Sequence, residues 1–510
     1  MSGNTVVIIV AIIAYLLITL GIGIWFSKKN RNTGDFYLGG RKLGPLVTAM
    51  SAEASDMSSY LLMGLPGLAY LSGICDVGWT AIGLALGTWL NWLIVAKRMR
   101  HYSQRIGAIT IPEFFSKRFH DKKNILALVA GIIIIIFFIP YTASGFAACG
   151  KLFASLFGVD YLVAMVIFAA VIVLYTTLGG FLAASTSDLI QSVIMTAALL
   201  IVLFYGFSCA GGVDKVIENA KALPGYLSMN QTYLADSNSA APYGPITVIS
   251  TMAWGLGYFG MPHILLRFMA IKEKKQLTLS RRIATVWVVI SMGVAIFIGI
   301  TGLAASANGA IDTLSGNDSE TVIIRLASHL AENGAFFALI AGVIMAGILA
   351  ATMSTADSQL LAASSSVSEN IVTQFFGKKM DQKKSLIVAR ITVIAISAIA
   401  VFFARDPNSS IFGIVSFAWA GFGAAFGPVV LLALFWKKGN WCGALAGIIS
   451  GGAMIFIWKF AVRPLGGAFD IYELLPAFLI ALAMNIIVSL LTGGAKEEVV
   501  REYDDVMKEA

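Results

Sequence analysis

Residues 49–67 read AMSAEASDMSSYLLMGLPG, and this stretch decides how the rest of the chain is interpreted. It lies inside a long apolar segment, yet small and hydroxyl residues crowd its centre, and glycines and Pro66 follow. This composition is typical of a discontinuous membrane helix, in which unwound carbonyls can bind a cation and a half-helix N-terminus can hold a carboxylate. Close helix packing by Ser and Gly is the alternative, but packing does not explain Asp56.

The composition of the whole chain excludes several classes of protein. Its 510 residues are 58% hydrophobic and 13% charged, with a mean hydropathy of +0.82. Soluble domains contain about 25% charged residues, so a water-soluble enzyme, a disordered chain and a nucleic-acid binder are excluded. The four cysteines lie in or beside apolar runs without a CxxC pair, which indicates small core residues and not a disulfide framework or a zinc site. They are Cys75, Cys149, Cys209 and Cys442.

Thirteen apolar runs are long enough to be membrane helices, which need about 20 residues. They lie near 5–26, 45–71, 77–96, 124–149, 160–178, 188–210, 246–267, 283–304, 335–372, 386–404, 408–436, 440–460 and 473–493. No small-residue cleavage site follows the first run, so we interpret it as a retained span and not as a signal peptide. The outer connection 211–245 is polar and long enough for a short surface helix.

The basic residues predict the orientation of the chain. Thirteen spans put the termini on opposite sides of the membrane. One set of connections, together with the tail, holds 28 of the 36 Lys and Arg residues, whereas the opposite set holds seven. The positive-inside rule therefore predicts an outside N-terminus and a cytoplasmic C-terminus. The basic connections are 27–44, 97–123, 267–282, 377–385 and 437–439. The net charge of +8 then faces anionic lipid, and no nucleic-acid partner is needed to explain it.

Four acidic residues lie within the predicted spans, where a charge costs several kcal/mol and marks function. Glu53 and Asp56 are in the second span, Asp188 begins the sixth and Asp357 is in the ninth. By our assignment no Lys or Arg lies deep enough to pair with them, which predicts a cation site. The chain has no Walker motif and no TVGYG loop, which argues against an ATP-driven pump and a potassium channel.

The seventh span resembles the second in its breaks. Residues 254–263 read WGLGYFGMPH, in which three glycines and Pro262 weaken a helix. Trp254 and Tyr258 are four residues apart and would share a helix face, either as the wall of an apolar solute pocket or as a packing ridge. We interpret His263 as structural, and a proton relay is the alternative.

The ninth span carries hard oxygen donors. Residues 350–358 read AATMSTADS, and the hydroxyls of Ser354 and Thr355 with carbonyls of a broken helix would suit sodium. The alternative is that both hydroxyls bond back to their own helix.

The two weakened helices are five spans apart, which predicts an inverted-repeat transporter with a midplane site. Spans 2–6 and 7–11 would be the repeats, so that the transport core covers 45–436 as two halves, about 45–210 and 246–436. The first span with its loop is 1–44, two further spans cover 437–494, and 495–510 is a charged cytoplasmic tail.

Four motifs resemble the sodium:solute symporter family, and within it the members that carry proline. They are Ser55-Asp56-Met57-Ser58 with LLMGLPG at 61–67, WGLGYFGMPHILLRFMA at 254–270, Met353-Ser354-Thr355 with QLL at 359–361, and LGG at 178–180 with SDLIQ at 187–191. The first three are fairly specific for the proline members and the last is not. The resemblance covers nearly the whole chain.

The resemblance implies an all-α polytopic membrane protein with the five-plus-five inverted-repeat fold of the bacterial leucine transporter. It implies sodium ligands at Ala54, Met57, Ala351, Ser354 and Thr355. Asp56 would be needed for sodium coupling, and Asp188 would line the exit path of the ion. Proline would bind near Ser58, Tyr60, Tyr141, Trp254, Tyr258 and Pro262. The chain departs from the pattern of the proline members at Glu53, Ser59, Tyr60 and Met261. These departures affect the predicted identity of the solute and do not affect the assignment to the family.

We therefore expect a secondary transporter of the bacterial inner membrane that imports L-proline with sodium by alternating access. It would carry out no covalent chemistry, use no organic cofactor, and have the lipid bilayer as its surroundings with no obligate protein partner. A symporter of the same fold for another amino acid or a compatible solute, or a proton-coupled version, remains the alternative. A channel or a sensor is the alternative from a different class.

Overall fold

The computed structural model describes residues 3–27, 33–378 and 381–509, which form helices and one small hairpin. The first half contains α1 Gly3–Ser27, α2 Thr33–Leu38, α3 Pro45–Ser59, α4 Leu65–Ser72, α5 Ile74–Leu90, α6 Ala96–Arg105, α7 Ile111–Arg118, α8 Ile125–Phe157, α9 Tyr161–Cys209 and α10 Val213–Ala222. Strands β1 Gln231–Leu234 and β2 Ser239–Pro242 pair antiparallel.

The second half begins after this hairpin. It contains α11 Pro245–Met252, α12 Pro262–Ala270, α13 Leu277–Ala307, α14 Val322–Ala331, α15 Ala335–Ser365, α16 Gln382–Phe403, α17 Ile411–Phe435, α18 Trp441–Ile457, α19 Leu474–Leu491 and α20 Glu497–Glu509. The predicted surface helix in 211–245 is α10, and the hairpin beside it was not predicted. Parts of the basic connections 27–44 and 377–385, namely 28–32 and 379–380, lie outside the described residues.

Ten helices in the described ranges are long and apolar enough to cross a membrane by length and composition. The chain is thus a multi-pass membrane protein, as its hydropathy predicts. The predicted spans 45–71 and 246–267 are not among the ten, because each is interrupted. The apolar faces of the peripheral helices are exposed in the structure, which is where lipid would cover them.

The predicted spans 160–178 and 188–210 both lie in α9, which bends sharply at Gly180. This glycine has φ 68° and ψ −175°, which a side chain would disfavour. The hydroxyls of Tyr175 and Ser187 are 2.7 Å apart. Twelve residues span about 18 Å along a straight helix, so the chain turns back at Gly180 and α9 is two helical segments.

Both interrupted helices break where the sequence predicts. In α3, Ser58 has φ 50° and ψ −166°, and a π-helical turn at Tyr60–Gly64 leads into α4. In the seventh span, α11 passes into a 3₁₀ segment at Ala253–Phe259, and α12 starts at Pro262 after the extended Met261. A proline at the first turn starts a helix without losing a hydrogen bond, which fixes the start of α12.

Helix α15 lies at the centre of the molecule and packs against α1, α3, α8 and α9. Every residue from 344 to 366 is buried. The hydroxyl-rich part of the ninth span therefore lies beside the break in α3 and away from lipid. The described cysteines form no disulfide, and Cys75, Cys149 and Cys209 are buried.

Close packing of α5 on the broken seventh span depends on glycines. A Cβ added to Gly255 would overlap the Gly83 carbonyl, and a Cβ added to Gly87 would overlap the Gly255 carbonyl. The backbones touch without intervening side chains, as in small-residue interfaces of other membrane helices.

We predict that Gly255→Ala destabilises the protein by about 1–3 kcal/mol, because the two backbones must separate to admit the methyl group. Gly293→Ala on α13 is the matched control, since nothing lies within 4 Å of its added Cβ. The control should be neutral or stabilising by about 0.5–1 kcal/mol through helix propensity. Thermal unfolding in detergent measures both, and equal melting temperatures would contradict the packing argument.

Candidate functional site

The break in α3 supplies oxygen atoms to the core. The Tyr60 amide donates to the Ser58 hydroxyl at 3.1 Å and also to the Met57 carbonyl, so local hydrogen bonds hold the turn. The Ala54 carbonyl instead accepts the Ser354 hydroxyl of α15 at 2.7 Å. A backbone carbonyl beside the break thus accepts a hydrogen bond from a second helix.

Hydrogen bonds join three of the five predicted sodium ligands. Besides its bond to Ala54, Ser354 donates to the Ala351 carbonyl at 3.1 Å, so back-bonding to its own helix and a contact across helices occur together. The Thr355 hydroxyl is buried and has no hydrogen-bond partner in the described part of the chain. The Met57 carbonyl lies at the same break. Oxygens from two helices therefore converge in a dry region, which is the donor chemistry that hard cations prefer.

Asp188 lies one turn from this cluster and is paired with a buried arginine. Its Oδ2 accepts from Ser51 Oγ at 2.6 Å, from Ser55 Oγ at 3.2 Å and from Arg267 Nη2 at 3.2 Å. Arg267 also donates to Ser358 Oγ at 2.6 Å. Four elements, α3, α9, α12 and α15, meet at this guanidinium.

The expectation that no Lys or Arg lies deep in the spans is therefore wrong. The count of basic residues places Arg267 in the connection 267–282, but this residue lies in α12 and is only 1% exposed. The hydropathy pattern ended the seventh span too early because the break shortens its apolar run. The residues RFMA at 267–270 are mostly apolar, which indicates in the sequence that the helix continues beyond residue 267. A second buried pair, Lys151–Glu320 at 2.7 Å, lies near the connection 405–410.

Asp56 is held by two tyrosines. The Tyr258 hydroxyl donates to Asp56 Oδ2, and the Tyr141 hydroxyl donates to the Asp56 carbonyl at 3.2 Å. Three predicted site residues from three helical segments are thus in direct contact. Asp357 accepts from Ser358 Oγ at 3.0 Å. His263 is fully buried, its ring lies 5.7 Å from that of Phe138, and its ring nitrogens have no hydrogen-bond partner among the described residues.

A layer of aromatic rings covers the break in α3. The Tyr60 ring stacks on Trp254 at 5.5 Å between centroids, and Trp254 also lies 5.6 Å from Phe412 and 5.2 Å from Tyr472. Trp254 and Tyr258 do not form one wall, because a 3₁₀ segment has three residues per turn and turns Tyr258 toward Asp56. Both rings contact Trp419 instead.

Sequence reasoning missed Phe412, Trp419 and Tyr472. They belong to α17 and to the segment before α19, which the sequence places outside the motifs. Trp419 donates from its indole nitrogen to the Trp254 carbonyl at 2.7 Å. Pro262 begins α12 and takes no part in the ring layer.

A small cavity lies between the break in α3 and helices α8 and α15. Its volume of about 10 Å³ is room for about one water molecule. Its lining includes residues of both the predicted sodium site and the predicted solute site. The lining residues are Ser58, Ser59, Tyr141, Thr142, Ser144, Gly145, Thr352, Thr355, Ala356 and Gln359. An organic solute enters only if the ring layer or the helices move apart.

We predict that Arg267→Met destabilises the protein by about 3–5 kcal/mol, because Asp188 is left as a buried charge without a cation. The double variant Arg267→Met with Asp188→Asn should recover most of this loss, since it buries no charge. Melting temperatures in detergent measure both proteins. Equal loss in the single and double variants would mean that packing, and not charge pairing, is what Arg267 provides.

Comparisons with known proteins show the family of this chain. The family model described as "Sodium:solute symporter family" matches residues 36–451. The chain is 42% identical to the "Sodium/proline symporter" of Haemophilus influenzae, over 97% of this chain and 96% of that protein. It is 41% identical to the "Osmoregulated proline transporter OpuE" of Bacillus subtilis, over 95% of each chain.

Two solved structures are similar to this chain in fold. A Na⁺-coupled sialic acid symporter in a substrate-bound outward-open state superposes with a TM-score of 0.77 at 18% identity, covering 96% of this chain and 99% of the other. A nucleobase-cation-symport-1 family transporter in a closed conformation gives a TM-score of 0.51 at 14% identity, covering 92% and 98%. The predicted all-α polytopic fold of the leucine-transporter type is confirmed. With a family model matched from residue 36 to residue 451, the chain belongs to the sodium:solute symporter family.

Proposed function

We propose that this protein imports L-proline together with sodium by alternating access. The observation that carries the proposal is the 2.7 Å contact between Ser354 Oγ and the Ala54 carbonyl, which joins oxygens of two helices at the break in α3. The names of the proline-transporting relatives support proline as the solute. The family carries solutes and performs no covalent chemistry, so binding and movement are the whole reaction.

Sodium binds between α3 and α15 in this proposal. Its ligands are the carbonyls of Ala54, Met57 and Ala351 and the hydroxyls of Ser354 and Thr355. The ion takes the place of the hydrogen bond between Ser354 and Ala54 and gives Thr355 Oγ1 the partner that it lacks in the described chain. Because the two ligand sets are on different helices, the ion fixes their separation.

Asp188 receives the ion on its way out. Ser51 and Ser55 on α3, and Ser358 on α15, lie within about one turn of the sodium ligands and belong to the Asp188–Arg267 network. Asp188 Oδ1 has no partner in the described residues and is available as an acceptor. The Arg267 cation opposes an ion at this point, so release requires that the guanidinium move aside.

Proline binds on the opposite side of the break. The aromatic layer of Tyr60 and Trp254 matches its apolar ring and attracts its ammonium group through the ring faces, worth roughly 0.5–2 kcal/mol. Ser58 and Tyr141 line the cavity beneath this layer, and the backbone at the break suits the carboxylate. Tyr258 links this region to Asp56, which makes Asp56 the coupling residue between solute and ion. Pro262 contributes by fixing the start of α12.

The topology of this proposal places the N-terminus outside and the C-terminus in the cytoplasm of a bacterial cell. The basic connections and tail support it. Helix α20 packs on the connection 97–123, since the Tyr102 hydroxyl donates to Glu502 at 3.0 Å, so tail and connection lie on one side. The repeats are 45–210 and 246–436, flanked by 1–44, 437–494 and the tail 495–510.

Uptake of labelled proline into proteoliposomes tests the function. An inward sodium gradient should drive accumulation, and a proton gradient alone should not. Unlabelled proline should compete better than other amino acids or compatible solutes. Accumulation with a proton gradient and no sodium, or stronger competition by another solute, would contradict the sodium-proline assignment.

We predict that Ser354→Ala and Thr355→Ala each raise the sodium concentration for half-maximal uptake at least about tenfold, since each removes a ligand worth about 1.4 kcal/mol or more. Ser364→Ala is the control, because its hydroxyl is buried on the same helix but donates to the Leu361 carbonyl. Sodium titrations of uptake measure all three. Similar shifts at the three positions would indicate general helix packing and not ligation.

We predict that Trp254→Ala lowers the apparent affinity for proline about a hundredfold, because the main face of the ring layer is lost. Sodium affinity should change only by the share that coupling transmits. Trp89→Ala on the exposed face of α5 is the control and should leave both affinities unchanged. If both affinities fall equally in Trp254→Ala, the indole supports the fold and the solute binds elsewhere.

A further inference from the structure

A larger cavity, of about 400 Å³, lies where three long apolar helices begin or end. Helix α8 begins at Ile125, α18 begins at Trp441 and α19 ends just before Thr492, and these three residues line the cavity. The start of the tail closes another side with Lys496 and Val499. The volume is typical of pockets for small molecules, which measure about 300–1,000 Å³. No residue assigned to sodium or proline lines this cavity, so the proposed function leaves it without a role.

The rim of this cavity is basic. Lys122 and Lys123, which precede α8, and Lys496 of the tail line it, and all three side chains are exposed. The neighbouring His120 pairs with Glu502 at 3.0 Å, but none of the three lysines forms an ion pair within the described ranges. Three ammonium groups around one cavity, without acidic partners, favour an anionic ligand.

One acidic residue, Asp121, also lines the cavity, and its carboxylate is occupied by the backbone. Its Oδ1 accepts from the Lys123 amide at 3.1 Å, and its Oδ2 accepts from the Leu126 amide at 2.7 Å. Leu126 lies in the first turn of α8, where amides have no partner within the helix and a negative charge is stabilised. Asp121 therefore caps α8, and the lysine ammonium groups stay available to a ligand.

The interior and one edge of the cavity are apolar. Phe119 and Val499 are buried and line the interior, and Trp441 lies at the edge. Beyond this edge, the last turn of α19 carries Leu490 and Leu491, which are 55% and 80% exposed where lipid would cover them. Tryptophan favours the level of the lipid headgroups. A ligand with an anionic head and an apolar body matches both parts of the cavity, whereas a free anion would use only the rim.

We propose that this cavity binds the headgroup of an anionic phospholipid. The phosphate accepts hydrogen bonds from the ammonium groups of Lys122, Lys123 and Lys496, and the acyl chains lie along the exposed end of α19. One bound headgroup thereby joins the tail to the connection 97–123. The inference goes beyond the proposed function, because it assigns a ligand to a surface that takes no part in binding proline or sodium.

Cys442 lines the cavity and provides a local measurement of lipid binding. It is half-buried, whereas the other three cysteines are buried, so a maleimide should label it first in the purified full chain in detergent. Dioleoyl phosphatidylglycerol should slow this labelling, because the bound lipid covers the thiol. Dioleoyl phosphatidylcholine, with the same acyl chains, and inorganic phosphate should each protect much less. Cys442→Ser measures the background labelling.

The double variant Lys122→Gln with Lys123→Gln tests the rim. It should raise the mole fraction of phosphatidylglycerol that gives half-maximal protection about thirtyfold, since each lysine near an anionic headgroup contributes a factor of about five to affinity. Lys272→Gln with Lys275→Gln is the matched control, because it removes the same charge from the basic connection 267–282 and does not line the cavity. Melting temperatures in the same mixed micelles provide a second measurement, in which phosphatidylglycerol should stabilise the wild type and the control more than the rim variant.

Three results would overturn the phospholipid site. Equal protection in the wild type and both double variants would mean that the whole basic surface attracts the lipid and that the cavity does not select it. Equal protection by phosphatidylcholine would mean that acyl chains bind without recognition of the headgroup. Equal protection by inorganic phosphate would mean that the cavity takes a free anion. Each of these results leaves the proposed function unchanged, because no step measures transport.

Discussion

The hydrogen bond from Ser354 to the Ala54 carbonyl is the contact on which the rest of the structure depends. A backbone carbonyl inside a membrane cannot be left to solvent, so a helix that breaks there must find partners in protein or in a ligand. The chain meets this requirement by burying the break in α3 against α15, in which every residue from 344 to 365 is buried. The same requirement makes the break able to bind an ion.

The charges of the core follow from this arrangement. Arg267 lies where α3, α9, α12 and α15 meet. Its guanidinium donates hydrogen bonds to Ser51, Ser55, Ser358 and Asp188, whose polar atoms would find no such donor in lipid or among apolar side chains. The pair is close to neutral as a unit and therefore tolerable at membrane depth. Glu53 and Asp56, on the other side of the same helix, have tyrosine and tryptophan donors and no basic partner among the described residues. The acidic groups without a basic partner therefore face α5 and the seventh span, away from the Asp188–Arg267 pair.

The region around the break in α3 is closed in this structure, because a layer of aromatic rings covers it and the cavity beneath the layer is small. Tyr60, Trp254, Phe412 and Tyr472 come from four separate elements, and their rings meet over the break. Large rings fill space without many rotatable bonds, so they form a cover that moves as a few rigid pieces. A cavity of about 10 Å³ beneath such a cover gives the solute no room until α17 and the seventh span separate from α3. In the proposed mechanism, entry of the solute therefore requires movement of the helices that carry the proposed sodium ligands.

The sequence by itself determined the membrane class, the positions of most apolar segments and both helix breaks, because hydropathy, glycine and proline patterns act locally. It did not reveal that Arg267 is buried, since an apolar run interrupted by a break looks shorter than the helix that continues it. Nor did it reveal Phe412, Trp419 and Tyr472, because these residues lie outside the motifs and the helix breaks that the sequence shows. Partners such as Ala54 and Ser354 are 300 residues apart along the chain, and only the packing of helices decides such contacts.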